Sequence, residues 1–159
     1  MKIIAHRGNL NGPDPETENT PNQILKAIDA GFEVEVDMWF HGQNRLMLGH
    51  DRPTTHIETG VFQMYALHLW VHWKRESGLL FGITCLNETR QFMHDMEAKA
   101  KVSDGSIWLY PGTPITDDML SAPAIVACLP ELAPDWDISQ ATHICTDYPL
   151  KYREKYGTV

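Results

Sequence analysis

The sequence contains no long apolar run, and this absence excludes a membrane-spanning helix, which needs about 20 consecutive apolar residues. Its first residues, from Met1 to Ile4, lead straight into an apolar strand and leave no room for a cleaved signal peptide. Internal repeats and low-complexity segments are also missing. We therefore expect a cytoplasmic protein without a membrane segment.

Cysteine is scarce, with three residues in a chain of 159. Cys85, Cys128 and Cys145 are odd in number, widely separated and surrounded by apolar residues. A disulfide framework or a zinc site would show an even or closely spaced set. We therefore predict that all three are reduced, buried thiols.

Basic residues are outnumbered, since 13 Lys and Arg stand against 21 Asp and Glu, for a formal net charge of −8. Unspecific nucleic-acid binding needs many Lys and Arg side chains to neutralise phosphates, so we expect no nucleic-acid partner. A small anionic substrate is still compatible with this charge, because a metal and a few basic residues can dominate the field locally. The sequence does not indicate an oligomeric state.

The length suits one domain and is short for a complete eight-fold (β/α) barrel. A chain of 159 residues can form one sizeable core, whereas such a barrel typically takes about 250 residues. A hydrophobic fraction of 43% and a charged fraction of 21% are typical of a globular protein. We predict a single domain over residues 1–159.

The first third of the chain carries four polar motifs, each beside a predicted strand or helix. They are His-Arg-Gly at residues 6–8, Glu-Asn-Thr-Pro at 18–21, Glu-x-Asp at 35–37 and Gly-His-Asp at 49–51. The first motif ends a short apolar strand at residues 2–5. In the second, Thr20 predicts an N-cap with Pro21 as the first helical residue and Gln23 as the capping-box partner, and Gly31 ends this helix.

Residues 32–40 alternate as a strand does, with apolar and acidic side chains on opposite faces. The two sets are Val34, Val36 and Met38 on one face, and Glu33, Glu35 and Asp37 on the other. Because this strand follows a strand and a helix, it should be buried on both faces. Carboxylates held together in a buried position need a cation.

The remaining chain predicts shorter elements. A turn at 42–44 leads into a hairpin strand at 46–48, residues 52–60 indicate a loop, and a third strong strand covers 67–73. Further predicted elements are a helix at 75–81, a short helix capped by Thr116, and strands at 90–94, 106–110, 124–129 and 143–146. His94, Asp95, Trp108 and Tyr110 lie at strand ends and could line a pocket, although a core position is more typical of Trp108.

These side chains suit the cleavage of a phosphodiester. That reaction requires neutralised phosphoryl charge, an activated hydroxyl group and a proton for the leaving oxygen. Glu35 and Asp37 offer hard oxygen ligands for a divalent cation, Mg²⁺ or Ca²⁺, and Arg7 can hold a phosphate oxygen. His6 and His50 can act as base and acid, because imidazole titrates near neutral pH.

The four motifs, in this order, resemble the glycerophosphodiester phosphodiesterase family, and Thr-Asp-Tyr-Pro at residues 146–149 resembles the end of its last barrel strand. The resemblance implies an α/β fold, an abbreviated TIM-like (β/α) barrel with fewer or shorter helices than the full barrel. It implies that His6 and His50 form the acid/base pair and that Glu35 and Asp37 bind the metal. It also implies a first step in which a neighbouring substrate hydroxyl attacks phosphorus and forms a cyclic phosphate.

One motif departs from this family, which has Glu-x-Lys on its third strand where this chain has His72, Trp73 and Lys74. The resemblance implies a phosphate contact for Lys74, but the acid that completes the family's metal site is missing. Three roles stay open for His72. It could bind the metal directly, which would favour Mn²⁺ or another ion that tolerates imidazole, hold a metal-bound water, or only pack.

Other residues have supporting or unassigned roles. Glu18 and Asn19 match residues that brace the site in the family, with loop and cap roles as the alternative. Asp51 could orient His50 or begin a turn, and neither Glu131 nor Asp147 is assigned as a ligand. The expected function is metal-dependent cleavage of a small phosphodiester of the glycerophosphodiester type. The alternatives are a lyase that yields a cyclic phosphate and a non-enzymatic phosphate-ligand binder.

Overall fold

The computed structural model describes residues 1–43, 45–95 and 97–157. Within these ranges, ten strands and four α-helices form a mixed α/β fold. The strands are β1 (Lys2–Ala5), β2 (Glu33–Phe40), β3 (Leu46–Leu48), β4 (Thr55–Ile57), β5 (Leu69–Trp73), β6 (Arg90–Phe92), β7 (Lys99–Lys101), β8 (Ile107–Leu109), β9 (Ile125–Cys128) and β10 (His143–Thr146). The helices are α1 (Pro21–Asp29), α2 (Thr59–Met64), α3 (Glu76–Cys85) and α4 (Pro149–Tyr156). In the described part of the chain, every helix is too short or too polar to cross a membrane.

Seven of the strands are parallel and lie side by side in the order β6-β5-β2-β1-β10-β9-β8. The hairpin strands β3 and β4 extend β2 in the antiparallel sense, and β7 pairs antiparallel with β8. Between β6 and β8 the described residues form no ladder, although the backbone N–H of Ser103 donates to the carbonyl of Gln91 over 2.8 Å. Strand pairing in these ranges therefore does not close the sheet into a complete barrel.

The parallel strands at the centre of the sheet are buried on both faces, as expected. One apolar cluster joins Val34 and Val36 of β2 to Ile24 of α1. A second cluster lies on the opposite face and includes Trp70 and Trp108, and a third, smaller one contains Leu109, Met119 and Ile125. The alternation predicted for β2 is confirmed, because its apolar side chains lie in the first cluster while Glu35 and Asp37 point away from it and are also buried.

Helix α1 begins and ends where its capping residues predict. The side chain of Thr20 accepts a hydrogen bond from the backbone N–H of Gln23 over 3.3 Å, and Gly31 follows the helix with a φ of 88°. The other half of a capping box, in which the Gln23 side chain accepts the backbone N–H of Thr20, is not among the hydrogen bonds of the described residues. The Gln23 amide instead donates to the carbonyl of Gly8 over 2.9 Å. This bond ties the start of α1 to the turn that follows β1.

Other elements differ from their predicted bounds. The strand predicted at 67–73 begins at Leu69, because Ala66–His68 forms a short 3-10 turn before it. Residues 52–60, predicted as a loop, contain β4 and the start of α2. Helix α4 was not predicted, and α3 continues to Cys85, beyond the predicted 75–81. Asn44 of the predicted turn lies outside the described residues.

All three cysteines are free thiols, but the predicted burial is correct for only two. Cys128 and Cys145 are buried, and they lie opposite each other where β9 pairs with β10. Cys85 is exposed at the end of α3. The apolar residues before it mislead the prediction, since Leu80 and Ile83 of the same helix are exposed as well.

Candidate functional site

Polar side chains meet at the carboxyl ends of three neighbouring parallel strands. His6 follows the last residue of β1, while Glu35 and Asp37 lie on β2. β5 carries His72, which lies opposite Asp37 in the strand pairing, and Lys74 follows its end. Because parallel strands end at the same edge of a sheet, residues distant in the chain come together here.

These side chains line one pocket of about 420 Å³, a size within the range of small-molecule sites. Arg7 and His50 enter the same pocket from the loops after β1 and β3. A second wall consists of the residues that the sequence placed at strand ends: His94, Asp95, Trp108 and Tyr110, together with Phe92. The rings of His94 and Tyr110 stack with their centroids 3.5 Å apart.

Glu35, Asp37 and His72 form a group that can hold a metal ion. Their ligand atoms all lie within 4.8 Å of one another, and the residues Glu35 and Asp37 are only 2% and 1% exposed. His72 Nε2 is buried and has no hydrogen-bond partner among the described residues, while its Nδ1 lies 3.0 Å from Asp37 Oδ1. Two carboxylates and one imidazole fit a divalent cation that accepts both oxygen and nitrogen ligands. This donor set does not select one ion.

Asp37 is surrounded by positive and hydrogen-bonding groups. Its two oxygens lie 3.1 Å from Arg7 Nε, 3.2 Å from Lys74 Nζ and 3.0 Å from the side-chain amide of Asn19. Burial alone would raise the pKa of Asp37, but the hydrogen bond with His72 and the charges of Lys74 and Arg7 lower it well below its usual range. This carboxylate is therefore held ionised.

Glu35 behaves in the opposite way. Burial, together with the nearby charge of Asp37, raises the pKa of Glu35, even though His6, His72 and Arg7 act to lower it. Its Oε2 accepts a 3.2 Å hydrogen bond from the backbone N–H of Arg7. The negative charge of Glu35 is thus the less compensated of the two, and a cation in the site would offset it.

His6 is anchored on the side away from the metal ligands. Its Nδ1 lies 2.8 Å from Asp147 Oδ1, and its Nε2 lies 3.9 Å from Glu35 Oε2. Burial alone would lower the pKa of His6, but the hydrogen bond to Asp147 and the charge of Glu35 raise it to about 9. The ring is 12% exposed.

His50, the second predicted acid/base residue, lies in a more open position. Its side chain is 43% exposed, and its Nδ1 lies 2.6 Å from Asp51 Oδ1. Asp51 itself is 91% exposed. The structure therefore brings His50 to the same pocket as His6, and a surface carboxylate, that of Asp51, contacts its Nδ1.

The predicted bracing residues lie behind the pocket. Glu18 accepts a 2.9 Å hydrogen bond from Arg7, and Asn19 both donates to the Asp37 carboxylate and accepts its backbone N–H over 3.0 Å. Arg7 and Asn19 each have a φ of 53°, a left-handed conformation uncommon for side chains other than glycine. Such backbone is retained where the surroundings hold it, so both loops are shaped by these contacts.

Sequence reasoning missed three polar residues that join this network. Asn9 was placed only in a loop, and Asp147 and Glu131 had no assigned role. Asn9 and Asp147 are 1% and 8% exposed and hydrogen-bond to each other. The one signal for them was the Thr-Asp-Tyr-Pro motif, which marked Asp147 at the end of the last strand.

Comparison of this chain with protein-family models, with curated proteins and with solved structures found no match.

Proposed function

We propose that this protein is a metal-dependent phosphodiesterase that cleaves a small substrate of the glycerophosphodiester type. One observation carries the proposal: a single pocket brings His6 and His50 together with two basic side chains, Arg7 and Lys74, and with the cluster of two carboxylates and an imidazole. Each group meets one requirement of phosphodiester cleavage. The family resemblance of the motifs points to the same activity.

The strand order supports the finer proposal of an abbreviated TIM-like barrel. The seven parallel strands follow the order of the chain, from β1 through β2, β5 and β6 on one side and back through β8, β9 and β10 on the other. A barrel has this cyclic order, and its active site lies at the carboxyl ends of its strands. In this proposal the short segment around Ser103 replaces the missing units.

The protein's own side chains would divide the work as follows. Arg7 and Lys74 bind the phosphate oxygens. Both side chains contact Asp37 in the structure, so each must give up that contact when the phosphate binds. His6 and His50 carry out the two proton transfers, one removing the proton of the attacking hydroxyl and the other protonating the leaving oxygen.

Glu35, Asp37 and His72 would hold the divalent cation, Mg²⁺, Ca²⁺ or Mn²⁺. When bound, the cation supplies positive charge to the phosphoryl oxygens as the transition state forms. Asn19 and Arg7 keep the ligands in place, because Asn19 binds the side chain and the backbone of Asp37, and the Arg7 backbone binds Glu35.

A second candidate function, a phosphate-ligand binder without turnover, is favoured by the charge balance at Asp37. Arg7 and Lys74 by themselves compensate the charge of this carboxylate. A site that is balanced in this way could bind a phosphodiester without activating it. A lyase that releases a cyclic phosphate is the third candidate, and it would use the same side chains.

The test is hydrolysis of a panel of glycerophosphodiesters and bis-para-nitrophenyl phosphate, with Mg²⁺, Ca²⁺, Mn²⁺ or chelator, followed by phosphorus NMR of the products. We expect metal-dependent turnover that is abolished in His6→Ala and in His50→Ala. A monoester product indicates a hydrolase and a cyclic phosphate indicates a lyase. Saturable binding of a phosphodiester, with no turnover in the presence of any of these metals, would refute the enzyme proposal and favour the phosphate-ligand binder.

A matched control is available for His50. The side chain of His56 is also 43% exposed and also faces a carboxylate, Glu58 at 3.4 Å, but it does not line the pocket. His56→Ala should keep full turnover. Metal binding should survive in His6→Ala and His50→Ala, because neither residue belongs to the metal cluster. Retained turnover in both of these variants would refute the acid/base assignment.

A further inference from the structure

Asp147 holds His6 from the side opposite the metal cluster. Its Oδ1 lies 2.8 Å from His6 Nδ1. Because an ionised carboxylate can only accept, Nδ1–H donates this hydrogen bond and Nε2 is the nitrogen left for the reaction. The other ring nitrogen, Nε2, faces Glu35 and the pocket. Asp147 does not line the pocket itself, so any effect on the reaction passes through the residues that it contacts, first of all His6.

Asp147 is itself fixed by the half-buried carboxylate of Glu131. Glu131 Oε1 accepts the backbone N–H of Asp147 over 3.1 Å and the hydroxyl of Thr146 over 2.9 Å. The backbone carbonyl of Asp147 accepts the N–H of Gly12 over 2.7 Å. With both its backbone groups held, Asp147 has little freedom to follow a moving imidazole.

Asn9 connects the carboxylate that holds His6, Asp147, to the carboxylate that holds Arg7, Glu18. Its side-chain Nδ2 donates one hydrogen bond to Asp147 Oδ1 over 2.8 Å and another to Glu18 Oε2 over 3.2 Å. Glu18 in turn binds Arg7 NH1 over 2.9 Å. An amide with two donor hydrogens suits this bridge, because it satisfies two carboxylates that would otherwise repel each other.

We propose that Asp147 is a positioning residue that orients the His6 ring so that Nε2 faces the pocket. We propose further that Asn9 couples this orientation to the position of Arg7. The proposal rests on the proposed phosphodiesterase function, because it concerns the same site. It adds two residues, 138 positions apart in the chain, to the three that the motifs marked as supporting. The coupling keeps the proton-transfer group and the phosphate-binding group in one fixed relation.

A purely structural role is the competing explanation, since Asp147 also lies just before α4 and could only stabilise the fold. The two explanations differ in what a substitution changes. Loss of a structural residue lowers stability. Loss of a positioning residue lowers kcat in a protein that is still folded, with metal affinity and KM nearly unchanged.

The first experiment compares Asp147→Ala and Asp147→Asn with the control Asp137→Asn. The substituted asparagine can still present one oxygen to His6 and Asn9, whereas the substituted alanine cannot. Asp137 is an exposed residue whose carboxylate binds Ser139. We expect kcat to fall about 100-fold in Asp147→Ala and by less in Asp147→Asn. The control should match the wild type. A wild-type kcat in Asp147→Ala would overturn the proposal.

The second experiment does not depend on turnover. Proton NMR of nitrogen-15-labelled protein should show a downfield Nδ1 proton of His6, identified by its disappearance in His6→Gln. This signal should be lost in Asp147→Ala, while the far-UV circular dichroism spectrum and the melting temperature show that the chain is still folded. If the wild type hydrolyses nothing, the proposed function fails, but this signal still tests the aim of His6. Its persistence in Asp147→Ala would contradict the proposal.

The third experiment tests Asn9 by a double-mutant cycle of Asn9→Ala and Asp147→Ala, with Asn22→Ala as an exposed control. If Asn9 acts through Asp147, the loss of kcat in the double variant should be smaller than the product of the two single losses. Losses that multiply would show that Asn9 and Asp147 act independently. If Asp147→Ala does not fold, the cycle is repeated with Asp147→Asn.

Discussion

His72 lies directly opposite Asp37 in the parallel pairing of β5 with β2, and its Nδ1 lies 3.0 Å from Asp37 Oδ1. His72 stands where the motif that this chain resembles has a glutamate, so the contact bears on which metal the site prefers. In the family that the motifs resemble, this position carries a carboxylate, which favours hard cations such as Mg²⁺ and Ca²⁺. An imidazole favours transition metals over Mg²⁺ and Ca²⁺, and among them Mn²⁺ accepts carboxylate and imidazole ligands together.

We predict that His72→Glu shifts the metal preference from Mn²⁺ toward Mg²⁺ and Ca²⁺, and that His72→Ala weakens Mn²⁺ binding roughly tenfold or more. The measurement is the rise in melting temperature with increasing concentration of each metal, since a ligand that binds the folded state stabilises it. His68→Ala, an exposed residue just before β5, should behave like the wild type. If the melting temperature of His72→Ala rises with Mn²⁺ concentration as that of the wild type does, His72 is not a metal ligand.

The two carboxylates of the cluster should respond differently to neutralisation in chelator, without metal. Asp37→Asn removes the carboxylate that contacts Lys74 and one of the two that contact Arg7, the other being Glu18. We therefore expect it to lower the free energy of unfolding by about 3 kcal/mol. Glu35→Gln removes a buried charge whose pKa is raised, and it keeps an oxygen for the Arg7 backbone. We expect this change to be neutral or stabilising.

Urea denaturation measures both effects, and Glu16→Gln on the surface is the control. Both cluster variants should nevertheless lose metal affinity, because each removes one ligand charge. If Glu35→Gln destabilised the protein as much as Asp37→Asn does, the contrast between their environments would be wrong. Unchanged metal titration in both would refute the metal site.

The local part of this site could be predicted because its signals are local. The bounds of β1 and β10 agree with the predicted strands, and α1 follows from Thr20, Pro21 and Gly31. Period-two alternation also placed Glu35 and Asp37 on one buried face. These features depend on residues that are neighbours in the chain, where capping and alternation act.

The rest depends on contacts between distant residues. His6 meets Asp147 across 141 positions, and no periodicity or cap indicates that pairing. Whether a short chain of few helices forms a closed barrel depends on how β6 meets β8, which are not neighbours in sequence. Similarly, the exposed side of α3 could not be predicted, because the helix is apolar on all faces and only packing decides which one is buried.

That packing gives a third prediction at Gly82 of α3. A Cβ at this position would lie 1.8 Å from Gln91 Oε1 and 2.7 Å from Trp73 Nε1, two atoms that hydrogen-bond to each other over 2.9 Å in the core. Gly82→Ala should therefore lower the free energy of unfolding by about 1–3 kcal/mol. Chemical denaturation measures the change.

Gly60 of α2 is the matched control, since a Cβ there has no atom within 4 Å. Gly60→Ala should be neutral or stabilise the protein by up to about 1 kcal/mol, because alanine favours the helix. A Gly82→Ala variant as stable as Gly60→Ala would mean that α3 does not pack on Trp73 as described.

The fourth prediction concerns His143, the first residue of β10, at the end of the strand away from the pocket. Burial lowers the pKa of His143 to about 4, from an ordinary value of 6.5; the charge of Glu33 acts to raise it, and Lys2, Arg90 and the amino terminus act to lower it. The folded state therefore binds fewer protons than the unfolded state between these two values. Stability should be complete above pH 6.5 and fall as the pH decreases toward 4.

His143→Gln removes this titration and can keep a hydrogen bond to the Thr142 hydroxyl, which lies 2.8 Å from His143 Nδ1. Urea midpoints at about pH 7.5 and about pH 5 measure the effect. The wild type should lose on the order of 1 kcal/mol more than the variant between these pH values. His41→Gln, at an exposed position, is the control and should follow the wild type. Parallel losses in wild type and His143→Gln would show that His143 is not held neutral in the fold.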